Sequence, residues 1–246
     1  MTPAVREEAA RIRDAVTGVV ELVFDTVETV RAAALRCYAE ATEASVASAT
    51  APVHAFAGLE GPIREELSRP GQLAVGLGLI AVPGPDRELP LRLEWWQVDA
   101  GSDRLLALDP DLRPSSVGFY DYASADWFDV PRRTGRRHVV GPYVDVHGTG
   151  RYLLTLTAPV TAADGFLGVS GADIPVSRFE NHVLHELGSL DNAFVLVSDE
   201  NRVVLSTVPQ WPTGSLLVGS PDDPDAGELL PHLPWRLRVL PRPGSF

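Results

Sequence analysis

The first fifth of the chain carries a helical pattern of apolar positions. From Val5 to Ala41 these positions recur at spacings of three and four residues, which places them on one face of an α-helix. The pattern predicts one helix of more than about ten turns that ends near Thr50. Because a helix of this length needs a partner, either the rest of the fold or a second copy of the chain must cover its apolar face.

The pattern changes after residue 70 to the alternation that is typical of β-strands. Glycine and proline residues between 52 and 62 interrupt the helical pattern, and a short helix over 63–67 ends at Pro70. Short turns join the last three of the strands that follow, so these three form an antiparallel meander. The predicted strands cover 72–81, 91–98, 138–146, 152–161 and 166–174.

The last third of the chain predicts one more helix and a small set of strands. The helix covers 176–187, a hairpin joins 194–198 to 203–207, and 235–240 alternates as a final strand. Together these elements indicate an α+β fold: a long N-terminal helix, a PAS-like five-stranded antiparallel sheet and a small C-terminal β module. The predicted parts are the two helices in 1–70, the PAS-like module in 71–190, and the reduced second module with the tail in 191–246.

Charge and cysteine content argue against several classes of partner and site. The net charge of −12 disfavours nucleic acids and anionic membranes as partners, since binding to either needs clustered Lys and Arg. Four arginines cluster within 132–137, which is only weak support for nucleic-acid binding. The single cysteine, Cys37, excludes an intramolecular disulfide and a cysteine-rich zinc site. The N-terminus lacks a secretory apolar stretch, and the longest apolar run, 73–85, is too short to span a bilayer, so we expect a cytoplasmic protein.

Three short motifs suggest chemistry that their sequence context does not support. The glycines in 76–81 fit a dinucleotide-binding pattern, but the Val-Pro-Gly-Pro that follows cannot begin the required helix. Ser170 lies between glycines as in a nucleophile elbow, but the second glycine comes one position early. His182 and His185 are three residues apart beside Glu186, without metalloprotease spacing, so a solvated helix face is the simpler interpretation.

Aromatic and acidic residues concentrate in three neighbouring segments. In the third strand, Tyr143 and Asp145 are two residues apart and therefore project to one face of the sheet. Asp173 lies near the end of an otherwise apolar strand, where a carboxylate needs a partner to offset its desolvation. The first segment, 120–128, supplies the aromatic residues Tyr120, Tyr122, Trp127 and Phe128.

Two interpretations of these residues stay open. In one, the acids and aromatic rings converge on one face of the sheet and form a ligand site. In the other, Asp145 caps a turn, Asp173 caps the following helix, and the aromatic residues belong to the core. The pair Trp95 and Trp96 can add one ring to the site, and we assign Trp96 to it, although parity alone does not decide which ring faces inward.

The same segments resemble the Cache family of sensor domains, in particular the ligand-binding module of double Cache domains. The resemblance rests on the aromatic segment 120–128, on Gly-Pro-Tyr-Val-Asp at 141–145, on Leu-Thr-Leu-Thr-Ala-Pro-Val at 154–160 and on Gly-Val-Ser-Gly-Ala-Asp-Ile at 168–174. It spans about residues 93–187, and the long first helix is similar to that of the family. Each motif is degenerate alone, but their order is specific.

The resemblance implies a pocket and the kind of ligand it holds. In the family, the residues that match Trp127, Tyr143, Asp145 and Asp173 line the ligand pocket. The arginine that holds an amino-acid carboxylate is replaced here by Ala125, and Phe128 stands where a tyrosine is usual. Two acids with an aromatic wall therefore favour a primary amine or another small cation.

The sequence thus predicts a small-molecule sensor of the Cache type that is not an enzyme and needs no cofactor. By resemblance to the family's dimer helix, the long helix is expected to form a homodimer, and a separate regulator is expected to receive the signal. The alternative is a dimeric scaffold protein that binds no ligand and acts through that helix. An enzyme ranks third because the sequence yields no set of nucleophile, base and oxyanion donors.

Overall fold

A computed structural model describes most of the chain. The described residues are 2–48, 56, 58–82, 92–99, 101–102, 104–111, 115–117, 119–145, 150–217 and 227–240. The helices are α1 (Pro3–Ser48), α2 (Glu60–Leu67), α3 (Asp126–Thr134) and α4 (Val176–Leu187). The strands are β1 (Gly76–Ala81), β2 (Arg92–Val98), β3 (Leu105–Ala107), β4 (His138–Val144), β5 (Tyr152–Ala162), β6 (Gly165–Pro175), β7 (Ala193–Ser198), β8 (Val203–Ser206), β9 (Glu228–Leu229) and β10 (Trp235–Leu240).

The larger sheet has six antiparallel strands in the order β3-β2-β1-β6-β5-β4. The meander of β4, β5 and β6 is confirmed, and β1 joins it through β6. The prediction of five strands was wrong by one, because β3 pairs with β2. With only three residues, β3 is too short to show an alternating pattern.

The apolar face of α1 packs against one face of this sheet. Residues of α1 such as Val16, Val23 and Val27 are fully or almost fully buried, in one core with Leu79 of β1 and Leu156 of β5. The rest of the fold therefore covers the stripe predicted from the sequence. The predicted end of this helix near Thr50 lies outside the described residues.

The smaller sheet has the order β8-β7-β10-β9 and follows α4. The Trp235 ring of β10 lies edge-on to Phe179 of α4, with their centroids 5.6 Å apart. Near the start of α1, the buried Glu8 accepts hydrogen bonds from the backbone N–H groups of Asp191 and Asn192 at 2.7 and 3.1 Å. These contacts attach the smaller sheet and its connection to the α1 core.

Two further elements were missed by the sequence pattern. Residues 126–134, for which the pattern predicted neither helix nor strand, form α3, and β9 adds a two-residue strand beside β10. Helix α3 contains Pro131, which the sequence rules count against a helix, but it lies in the second turn with its ring buried. Within the described ranges, no helix is both long and apolar enough to cross a bilayer.

Candidate functional site

The candidate site lies on the face of the six-stranded sheet that points away from α1. A separate apolar cluster covers this face, and α3 supplies Trp127 and Phe128 to it. The cluster also contains Ile80 of β1, Trp95 of β2 and Val169 of β6. Because side chains alternate along a strand, these residues face away from Leu79 and Ala172, which pack in the α1 core.

Asp173 belongs to this second face. It is paired across the sheet with Thr155 of β5, and the Thr155 hydroxyl donates to Asp173 Oδ1 at 2.7 Å. Two residues along β5, the Thr157 hydroxyl donates to the backbone carbonyl of Trp127 at 2.7 Å, which fixes α3 above the same face. Asp173 is 7% exposed, so its carboxylate is almost completely withdrawn from water.

Tyr143 reaches the same position from β4. Its hydroxyl oxygen lies 2.8 Å from the Thr155 hydroxyl oxygen. Since Thr155 has one hydroxyl proton and gives it to the carboxylate of Asp173, Tyr143 is the donor in this pair. The three side chains form a relay in which Tyr143 donates to Thr155 and Thr155 donates to Asp173.

An irregularity in β4 places Tyr143 on this face. The register between β4 and β5 shifts between Val140 and Tyr143, where Gly141 has a φ of 114°. A side chain on Gly141 would bring a Cβ within 2.7 Å of the backbone carbonyl oxygen of Leu153. Glycine is therefore required at this bulge, for its φ and for the close approach of β5.

Burial dominates the electrostatics of the site. The pKa of Asp173 is raised to about 7: burial is the largest cause, the Thr155 hydrogen bond lowers the pKa, the nearby Asp145 raises it and Arg151 lowers it. Burial also raises the pKa of Tyr143 and of Tyr120, and both carboxylates add to each shift. These mutual effects place Tyr120, Tyr143, Asp145 and Asp173 in one neighbourhood.

Trp95 lies across the floor of the site. A Cβ placed on Gly76 would lie 2.9 Å from Trp95 Nε1 and 3.0 Å from Asp173 Oδ2, so the indole nitrogen and the carboxylate border the same point. A Cβ on Gly171 would lie 3.4 Å from the far end of the indole ring. Trp95 is 5% exposed, and its Nε1 has no hydrogen-bond partner among the residues described.

Trp96, which the sequence analysis assigned to the site, lies on the opposite face. It packs against the α1 core, and the guanidinium carbon of Arg64 lies 4.8 Å from the centroid of its ring. The assignment is corrected because the strand register gives the inward position to Trp95. Leu93 and Trp95, two residues apart, both pack in the cluster under α3.

The aromatic residues of 120–128 have different surroundings. Tyr122 and Phe128 are fully or almost fully buried, their rings are in edge contact, and the Tyr122 hydroxyl donates to the carbonyl of Ala81 at 3.1 Å. Trp127 is 7% exposed and packs against both. Tyr120 is half-buried, with its ring centroid 6.5 Å from that of Trp127. Tyr120 is therefore the member of this group that lies nearest the two acids and solvent.

The capping interpretation fits Asp173 poorly. Helix α4 starts after Pro175 without a side-chain cap, and the Asp173 carboxylate accepts a hydrogen bond from Thr155 instead. At Asp145 the backbone does close the β4–β5 turn: its N–H donates to the carbonyl of Arg151, and its carbonyl accepts from Gly150. The buried Asp145 side chain thus lies directly after β4 and within electrostatic reach of Tyr143 and Tyr120.

Sequence reasoning missed Arg151, Thr155 and Trp95. Arg151 affects the ionisation of Asp173 and donates to the carbonyl of Val98 at 2.6 Å. Its proximity to Asp173 depends on the register between β5 and β6, which the predicted meander did not specify. Thr155 could have been found, since it lies two residues before Thr157 on the same strand face.

The three short motifs that suggested other chemistry in the sequence lie in a strand, in the α1 core and on helix α4. Residues 76–81 form a strand, and the buried Ser170 hydroxyl donates to the carbonyl of Val27 in the α1 core. His185 is exposed and His182 half-buried on α4. In the part of the chain that the structure covers, no group of three His, Cys, Asp or Glu side chains could hold a metal ion.

Sequence comparison finds no relative, whereas structure comparison does. No protein-family model and no curated protein matches the chain. The ligand-binding domain of the Pseudomonas aeruginosa PAO1 amino acid chemoreceptor PctC, in complex with GABA, is 17% identical; the match covers 96% of this chain and 95% of that one, with a TM-score of 0.50.

Two other solved structures match less closely. The sensory domain of the Campylobacter jejuni chemoreceptor Tlp3 with isoleucine bound is 15% identical, with 87% of this chain and 74% of that chain covered and a TM-score of 0.49. The extracellular domain of the histidine kinase soHK1S-Z6 is 15% identical, with 57% and 50% covered and a TM-score of 0.41. The match spans half the length of that kinase domain. With its long first helix on an antiparallel PAS-like sheet, the chain has the fold of the Cache-type sensory domains.

Proposed function

We propose that the chain senses a small molecule whose amine binds at Asp173. The observation that carries this proposal is the burial of the Asp173 carboxylate beside an aromatic wall, on the face of the sheet that α1 does not cover. A buried carboxylate without a cation is costly, and here the cost appears as a pKa raised to about 7. An ammonium group at this position would offset that cost directly.

The atoms around Gly76 define what else the ligand carries. Asp173 Oδ2 can accept hydrogen bonds from a ligand, and Trp95 Nε1 can donate one. Both atoms border the point that a Gly76 side chain would fill. The ligand we propose therefore presents an ammonium donor to Asp173 and an oxygen acceptor to Trp95. The rings of Tyr120 and Tyr143 supply faces for a cation–π contact.

Arg151 supports a second candidate within the same function, an amino acid. The Arg151 guanidinium lies close enough to Asp173 to lower the pKa of that carboxyl group. A guanidinium in this position could pair with the carboxylate of an amino-acid ligand whose amine binds Asp173. It enters from the β4–β5 turn, so it could take the role that Ala125 leaves unfilled. The solved PctC and Tlp3 domains contain GABA and isoleucine, respectively.

The scaffold alternative has less support. The apolar stripe of α1 is buried by the chain's own sheet, so a homodimer through this helix would need its outer face, where Leu22 is 51% exposed. The homodimer and the separate regulator remain proposals. The cytoplasmic location remains a prediction, and the solved structures do not support it, since they include extracellular domains.

The test compares pairs of ligands that differ only by a carboxylate, such as phenylalanine and phenethylamine, in thermal-shift and calorimetric assays at pH 8. Asp173→Asn is expected to weaken binding of any hit at least tenfold, because the amine loses its counter-charge. For wild type, affinity is expected to fall below pH 7, where Asp173 becomes protonated. Preference for the amino acid over the amine would identify the second candidate.

Two controls keep the test specific. Asp14→Asn removes an exposed acid of α1, 76% exposed in its side chain, and should leave binding unchanged. Gly76→Ala keeps every charge but fills the space beside Trp95 and Asp173, so it should prevent the ligand from binding there. Its control is Gly18→Ala, where no atom lies within 4 Å of the new Cβ. Binding that survives both Asp173→Asn and Gly76→Ala would place the ligand elsewhere and overturn the proposal.

A further inference from the structure

A row of directly paired residues crosses the six-stranded sheet and passes through the candidate site. Gly76 of β1 lies opposite Asp173 of β6 on one side and opposite Gln97 of β2 on the other. Residues that are directly paired in a sheet project their side chains to the same face. Gln97 therefore shares the face of Asp173 under α3. Trp95, two residues before Gln97 on β2, packs on the same face.

Gly76 leaves a gap in the middle of this row. The gap lies between the side chains of Gln97 and Asp173, because the residue between them has no side chain. A Cβ at this position would lie 2.9 Å from Trp95 Nε1 and 3.0 Å from Asp173 Oδ2. Since the Cβ atoms of directly paired residues are about 4.5–5.5 Å apart, the Gln97 side chain begins beside the same gap. Asp173, Gln97 and the Trp95 indole nitrogen thus surround one empty position.

The side-chain oxygen of Gln97 is buried and has no hydrogen-bond partner in the described part of the chain. On the side away from Gly76, Gln97 is paired with Leu106 of β3, which is 39% exposed. An oxygen turned toward β3 would meet water, so its burial favours an orientation toward the gap. Trp95 Nε1 is a donor in the same unpaired state. A buried acceptor and a buried donor therefore flank the gap, and each is costly until it finds a partner.

From this geometry we infer that the second polar group of the ligand is a primary carboxamide, an inference that rests on the amine site proposed at Asp173. The carboxamide oxygen accepts a hydrogen bond from Trp95 Nε1, and its N–H donates to Gln97 Oε1. A carboxylate has no donor for Gln97, and an ammonium group has no acceptor for Trp95. The ligand class is a small amino amide, with its ammonium group at Asp173 and its amide over Gly76.

Two matched series of compounds test this assignment by calorimetry on the full chain at pH 8. One series is 3-aminopropanamide, 3-aminopropanoate and ethylamine, and the other is 5-aminopentanamide, 5-aminopentanoate and butylamine. Two lengths are used because the backbones of Gln97 and Asp173 are two strands apart, about 9–10 Å. In at least one series the amide should bind at least fivefold tighter than the amine and the carboxylate. Equal binding of amide and amine in both series, or tighter binding of the carboxylate, overturns the inference.

Substitutions of Gln97 assign this preference to its side-chain oxygen. Gln97→Met removes the acceptor at similar volume and should lower the affinity for the amide to that for the amine. Gln97→Glu keeps an acceptor, so it should retain the preference for the amide and weaken binding of the carboxylate further by charge repulsion. Gln210→Met makes the same exchange at an exposed residue and should change nothing. A preference for the amide that survives Gln97→Met, or is lost in Gln97→Glu, contradicts the assignment.

The outcomes separate the carboxamide from the amine site on which it rests. If the amine binds and needs Asp173 but the amide binds no tighter, the carboxamide is wrong and the amine site stands. If the amide needs Gln97 but binds equally well to Asp173→Asn, the carboxamide stands and the amine site is wrong. If no compound of either series binds, both are overturned.

Discussion

The two faces of the six-stranded sheet bury side chains of different polarity. The face toward α1 is lined by apolar residues such as Leu77, Leu79 and Leu156, and the buried Ser170 hydroxyl on this face donates to a backbone carbonyl. The face toward α3 buries a carboxylate, Asp173, and an unpaired indole nitrogen, Trp95, among its rings. Both faces come from the same strands, alternating residue by residue.

This difference shows which face contributes most to stability and which face carries the proposed ligand site. Apolar burial on the α1 face contributes to folding without needing a ligand. On the α3 face, desolvation of Asp173 works against folding until a cation arrives. Truncating an apolar side chain on the α1 face should therefore lower stability, whereas removing the charge of Asp173 on the α3 face should raise it, and the following predictions test that contrast.

The largest effect is expected for Leu79→Ala on the α1 face. Leu79 is completely buried, so its truncation should lower the free energy of unfolding by about 3 kcal/mol through lost burial and a cavity. Urea denaturation measures this loss. Leu93→Ala on the α3 face, where the side chain is only half-buried, is the matched control and should cost clearly less. Equal losses would mean that both faces support the fold alike.

The second-largest effect is a gain in stability, expected for Asp173→Asn. The pKa of Asp173 is raised in the folded state from 3.8 to about 7, so the folded protein holds this proton more tightly than the unfolded chain. Stability therefore falls as pH rises through this window and stays low above pH 7. Asp173→Asn removes the charge, and it should stabilise the ligand-free protein more at pH 8 than at pH 5, by on the order of 2 kcal/mol.

Chemical denaturation of both proteins at the two pH values checks this prediction. Asn keeps an oxygen that can accept from Thr155, so the hydrogen bond is not lost with the charge. Asp14→Asn on α1 should show no such pH dependence. If Asp173→Asn instead destabilised the protein equally at both pH values, the carboxylate would be a structural group and not a poised binding group.

The smallest effect is expected for Tyr143→Phe. It removes the first hydrogen bond of the relay to Asp173 and should cost about 1 kcal/mol of stability. Because Thr155 then donates to Asp173 with less support, the pH at which stability changes should move slightly upward. Tyr122→Phe removes a hydrogen bond to Ala81 on the same face and should cost a similar amount without moving that pH. Stability profiles against pH distinguish the two variants.

Much of the fold could be predicted from periodicity. The spacing of apolar residues in α1 gave its length and buried face, and α4 spans 176–187 as predicted. Helix α3 could not be predicted in this way, because Pro131 and its polar neighbours have low helix propensity and mask the pattern of a short amphipathic helix. The sheet on which α3 packs decides which of its side chains are buried. Of the predicted site residues, Tyr143, Asp145 and Asp173 lie within electrostatic reach of one another, and their role in binding a ligand stays a prediction.

By itself, the sequence determined which residues alternate together, because the two-residue period of a strand is a local property. That was sufficient to place Tyr143 near Asp145. Tertiary structure alone decided which face of each strand meets α1, and hence that Trp95 and not Trp96 lies beside Asp173. It also brought Arg151 toward Asp173, because contacts between neighbouring strands depend on register and packing, which no local pattern encodes.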